Sequence, residues 1–106
     1  MGYDEVTYTE VEPRAPGMYF LRDALGSESL GVTVVEADDG WDGLEHDHAD
    51  GDHEEVYLLL EGSASLTVDG ETIELAAGDA VRVDPESTRT LTFDADGSRM
   101  VIAGAP

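Results

Sequence analysis

This 106-residue chain has three histidines, at 46, 48 and 53, all within the stretch bounded by Gly40 and Gly62. Chance is a poor account of that gathering, and a binding site is a better one. His46 and His48 are two apart. On an extended strand residues i and i+2 face the same side, so both imidazoles address one point. Glu54 and Glu55 follow, and then the most apolar run of the chain, 56–60. If the strand begun by Glu55 lies beside the one carrying the histidines, its carboxylate joins them. Two histidines and a carboxylate on one side of a divalent ion leave positions open for substrate or oxygen. Such donors accept Fe, Mn, Ni, Co or Zn without selecting among them.

The elements that would position these groups read as strands. Residues 2–11 alternate loosely and predict an edge strand, and residues 17–26 a short strand and then a turn. The β-branched content of 29–37 predicts another strand. Trp41 to His48 resumes as a strand, and 49–52 is a loop of turn formers. The run from Glu55 to Glu61 is apolar on both faces, which predicts a central or doubly covered strand. Ala64, Leu66 and Val68 then alternate with Ser63, Ser65 and Thr67. Asp69-Gly70 is the strongest hairpin signal, a two-residue turn between alternating strands. Further strands are expected at 71–75, 80–83, 89–93 and 99–103, with a loop at 84–87. Short strands with turns every few residues and no long helical period predict an all-β, antiparallel barrel or sandwich in a single domain, 1–106.

Composition narrows the function. The chain has no cysteine, which excludes a disulfide frame, a thiolate nucleophile and a cysteine zinc site. No apolar run approaches the roughly 20 residues that span a bilayer. The N-terminal segment is acidic, without the basic and apolar regions of a secretory signal, so the expected location is cytoplasmic. Asp and Glu number 25 against five bases, giving a net charge of −20. All five bases are arginines, at 14, 22, 82, 89 and 99. The acids are spread among apolar residues, unlike a disordered acidic tail. The pattern resembles acidic cytoplasmic proteins of salt-accumulating halophiles, whose self-repulsion is screened at high salt. The same charge argues against nucleic acid and anionic membrane as partners.

Two motifs, laid down together, resemble the cupin family of double-stranded β-helix, or jelly-roll, barrels. Gly40 is followed five residues later by His46-Asp47-His48, and Glu55 by six residues and then Gly62. Gly78-Asp79 opens a second motif that runs through a strand to Asp84-Pro85. The resemblance spans about residues 28–103. It implies a barrel whose lumen carries a divalent transition metal, with His46, His48 and Glu55 as ligands. The gap between His48 and Glu55 is longer than the family's. His53 shares the parity of Glu55 and is a further candidate ligand. Tyr57 and Leu59 share that parity too and should line the lumen, and Trp41 is either a rim residue or core. The family's last ligand, a histidine, falls at Arg89. Arginine stays protonated and does not ligate metals.

Arg89 therefore has two readings. It neutralises Glu55 and stands in for the metal, or it holds a substrate carboxylate bidentately beside a three-ligand metal. The functions that follow are a metal-dependent dioxygenase, isomerase or lyase acting on a small molecule, and a metal-free, non-catalytic module that binds or senses a small anionic ligand. Small cupin barrels commonly pair through edge strands, so the resemblance also implies a homodimer, using the long edges expected at 2–11 and 28–37.

Overall fold

Eight strands form among the residues that the computed structural model describes, 2–43 and 53–106. They are β1 (Met18–Phe20), β2 (Gly31–Ala37), β3 (Glu54–Glu61), β4 (Ser63–Val68), β5 (Glu71–Ala76), β6 (Ala80–Val83), β7 (Arg89–Phe93) and β8 (Ser98–Ala105). One short helical turn, α1 (Arg22–Leu25), follows β1. A five-stranded sheet has the order β1-β2-β8-β3-β6, and a three-stranded sheet the order β5-β4-β7. Every pairing is antiparallel. The all-β barrel expected from the alternation is thus the fold observed.

The core lies between the sheets. Val35, Tyr57, Leu59, Val83 and Met100 come from the large sheet, and Ala64, Leu66, Leu75, Leu91 and Phe93 from the small one. Period-two alternation delivers them: in β4 and β7 every second residue points inward. The hairpin at Asp69-Gly70 is as read, with φ of 49° and 84° at its two central residues. Both values are positive, as the tight turn between twisted strands requires.

Gly62 explains the end of the first motif. Its φ is +84°, and a Cβ there would collide with Ser98. The Ser98 hydroxyl sits against this bend and donates to the carbonyl of Ala95 at 2.7 Å. Only glycine permits both the left-handed backbone and the close approach of β8.

Two expectations need correction. Residues 2–11 form no strand; Tyr8–Glu10 is a 3-10 turn. Tyr3, Val6, Tyr8 and Val11 do not share one parity, so no single strand face could bury them. Tyr8 instead packs edge-on to Tyr19, ring centroids 5.4 Å apart. Second, β2 offers no long free edge: it pairs with β8 throughout and with β1 over residues 33–35. The run from Glu55 to Glu61 is an interior strand of its sheet, one of the two alternatives expected, with one face covered. Tyr57 and Leu59 are buried, whereas Val56 and Leu60 on the outer face are 38% and 42% exposed. Of the strand expected from Trp41 to His48, residues 41–43 show one isolated bridge, Asp42 to Thr92, and the remainder lies outside the described residues.

Candidate functional site

The inward faces of β3, β8 and β2 run in register, so the lumen can be read in rows. Glu55 stands opposite Gly104 on β8, which stands opposite Gly31 on β2. The next row holds Tyr57, Ile102, Thr33 and Phe20, and the one after it Leu59, Met100, Val35 and Met18. Gly104 makes room for the first row. A Cβ there would lie 3.1 Å from Glu55 Cγ and 3.2 Å from the carbonyl of Glu54.

Arg89 enters from the other sheet, at the start of β7, with Leu91 and Phe93 on the same inward face. Its side chain is fully buried. Nη1 lies 3.8 Å from Glu55 Oε1, an ion pair that crosses the lumen from one sheet to the other. Nη2 donates to the carbonyl of Asp84 at 2.5 Å, in the proline loop of the second motif. Nε and Nη1 have no hydrogen-bond partner among the described residues. A charge taken out of water costs several kcal/mol unless it is paired, so Glu55 is the group that makes a buried Arg89 tolerable.

Tyr57 completes the arrangement. Its hydroxyl donates to the same Glu55 oxygen at 2.8 Å. Burial first, and then the charge of Glu55, push the Tyr57 hydroxyl far above the ordinary phenol range. That direction keeps it a donor to Glu55. Among the described residues Glu55 Oε1 thus faces the Arg89 cation and the Tyr57 donor.

The loop before Arg89 is fixed by the hairpin. Asp69 Oδ1 accepts from the Thr88 amide at 2.9 Å, and the Asp69 amide donates to the Thr88 carbonyl at 2.9 Å. A hydrogen bond from the Ser87 side chain and the one from Thr88 hold the Asp69 carboxyl below its usual range. The Asp-Gly turn is thus also a strut for the approach to Arg89.

Two cavities follow the rows. The smaller, about 150 Å³, is bordered by His53, Glu55, Arg22, Thr33, Phe20 and Ile102. The larger, about 500 Å³, is walled by Met18, Phe20, Trp41, Tyr57, Leu91 and Ile102. Phe20 and Ile102 belong to both and divide them. Arg89 lines neither.

Of the residues singled out in the sequence, Glu55, Tyr57 and Arg89 converge, and His53 borders the same small cavity as Glu55. His46 and His48 lie outside the described residues. Among the described residues no three His, Cys, Asp or Glu side chains come together as a metal-binding group. Sequence reasoning did not single out Asp84, whose carbonyl takes up Arg89, or Gly104, which accommodates Glu55. The proline loop marked the first; only the β3–β8 register reveals the second.

A family model described as "Cupin domain" matches residues 33–103. No curated protein matches. Among solved structures, a cupin protein from Bacteroides fragilis aligns at 26% identity and a TM-score of 0.81, over 99% of this chain and 85% of that one. KdgF from a Halomonas species aligns at 18% identity and 0.79, over 100% of this chain and 94% of that one. A sugar phosphate isomerase of a cupin superfamily, from Silicibacter pomeroyi, aligns at 19% identity and 0.77, over 97% and 76%.

Proposed function

The chain belongs to the cupin family, and from that premise we propose that it is a small-molecule-binding barrel in which Arg89 takes the place of the divalent metal beside Glu55. One observation carries this reading: the Glu55 carboxylate already faces Arg89 at 3.8 Å and the Tyr57 hydroxyl at 2.8 Å. A dication at Glu55 would lie close to a fixed, buried guanidinium. In the weakly screened interior that repulsion offsets a large part of what one carboxylate offers. The described part of the ligand set therefore disfavours a metal held through Glu55.

The same geometry favours one of the two readings of Arg89. Its guanidinium is buried behind Glu55 and Tyr57 and borders neither cavity, which supports an internal counter-ion over a clamp for a ligand's carboxylate. The lumen then acts by enclosing its ligand. We place the protein with binding and sensing modules rather than with metal-dependent dioxygenases, isomerases or lyases.

A second reading has one observation in its favour. His53 borders the same small cavity as Glu55, and both would join His46 and His48 around a metal. Thermal melts separate the two readings, since a ligand that binds only the folded state raises the melting temperature. In the first reading Mn²⁺, Fe²⁺, Ni²⁺, Co²⁺ and Zn²⁺ stabilise the wild-type chain no more than Mg²⁺, which screens the acidic surface equally. Strong stabilisation by one transition metal, abolished in His46→Ala, His48→Ala, supports the second.

A further inference from the structure

We propose that the larger, apolar cavity is a binding site of its own, for an uncharged small molecule that carries a flat apolar ring. This deepens the reading above and rests on it for the lumen as a small-molecule site.

The pocket is half open rather than a sealed void, and it measures about 500 Å³ in an 11.3 kDa chain. That volume falls within the range of pockets that enclose small ligands. Its walls are Met18, Val35, Leu91 and Ile102, with three aromatic rings, Phe20, Trp41 and Tyr57. Water inside would find few polar partners, so an apolar occupant gains most. Aromatic walls favour offset or edge-on contact with a further ring.

Trp41 is held for that role. Its ring packs against Phe93, centroids 5.2 Å apart at 30°, and Phe93 is fully buried. Gly43 passes beside the indole, where a Cβ would stand 3.3 Å from Trp41 Cη2. A larger residue there would crowd the ring. The backbone secures the segment from below, with the Gly43 amide donating to the Leu91 carbonyl at 2.8 Å and the Phe93 amide to the Trp41 carbonyl at 3.0 Å.

The charges set the ligand class. No arginine lines the cavity among the described residues. Among the described residues the one acid on the rim is Asp42, which accepts a hydrogen bond from the Thr92 hydroxyl at 2.7 Å. An anion would find no cation among the described lining residues and a surface of net charge −20 around it.

Trp41 is the chain's only tryptophan, so its fluorescence reports on this wall alone. The test titrates the neutral probe N-phenyl-1-naphthylamine into the full chain in molar KCl, where surface charge is screened. The anionic counterpart is 8-anilinonaphthalene-1-sulfonate. We expect saturable quenching of Trp41 by the neutral probe and binding of the sulfonate weaker by about tenfold or more. Ala15 and Leu91 both line the cavity, so Ala15→Leu and Leu91→Phe fill it, and each should weaken the neutral probe by about tenfold, circular dichroism confirming the fold. Absence of saturable quenching overturns the proposal, as does equal affinity for the sulfonate, or undiminished binding in both filled, folded variants. The titration is repeated on chelator-treated and Mn²⁺-supplemented protein. Binding that persists in metal-loaded protein upholds this site while the metal-free reading of Glu55 fails.

Discussion

The two compartments of the lumen are built on opposite principles. Around Glu55 the described residues supply charged and polar partners to one another: Arg89 crosses from the small sheet, Tyr57 donates from the next row, and Asp84 takes up the far side of the guanidinium. One turn of register further on, around Trp41, the walls are apolar and enclose about 500 Å³ of space. The polar compartment is filled by the chain's own charged and polar groups, and the apolar one is open space, so the two suit different occupants.

The sharpest way to break this contrast is at the ion pair. Arg89→Met and Glu55→Gln each remove one partner. Leaving the other charge or dipole buried alone should cost about 3–5 kcal/mol in urea unfolding for the worse of the two, Glu55→Gln. The double variant should recover most of that loss, because no charge is then left stranded. Additive losses would mean that the two residues do not compensate each other.

Next in size is a comparison of two stacked rings. Phe93→Ala should cost about 3–5 kcal/mol, as expected of a fully buried aromatic. Trp41→Ala should cost clearly less in denaturant melts, because part of the indole faces the cavity rather than packed atoms. Equal losses would show that the apolar compartment is closed core.

Salt should then separate inside from outside. The melting temperature of the wild-type chain should rise from dilute buffer to molar KCl as repulsion among 25 acids is screened. Arg82 is exposed and pairs with Glu54 at 2.6 Å and Asp84 at 2.7 Å. Arg82→Met should be mildly destabilising, and less so in salt. The loss in Arg89→Met should not change with salt. If both respond alike, Arg89 is not sealed from solvent.

The smallest expected effect is at Asp69. Its carboxyl is held below the usual range by Ser87 and Thr88, so its contribution is complete above the unfolded-state pKa and fades as pH falls through the folded one. Asn tolerates the left-handed turn, which makes Asp69→Asn a test of charge alone. The small gap in melting temperature between wild type and variant should close on acidification. A gap that widens would reverse the sign of the shift.

Much of this was legible in the chain. The alternation of 63–68 placed the inward faces, Asp69-Gly70 fixed a hairpin, and counting through the second motif found Arg89 at the ligand position. Each of these depends on local spacing. What local spacing could not supply was long-range. The room for Glu55 came from Gly104, brought beside it only by the β3–β8 register. The apolar cavity joins residues from Met18 to Ile102 through both sheets, and no stretch of sequence announces it. His46 and His48, the plainest signal in the sequence, lie outside the described residues.

The most direct test of the central claim is elemental analysis of tag-free protein purified in high salt without chelator. A guanidinium in the metal's place predicts that no transition metal approaches one per chain, in the wild type or in His46→Ala, His48→Ala. Near one Fe, Mn, Ni, Co or Zn per chain in the wild type, lost in that variant, would contradict it.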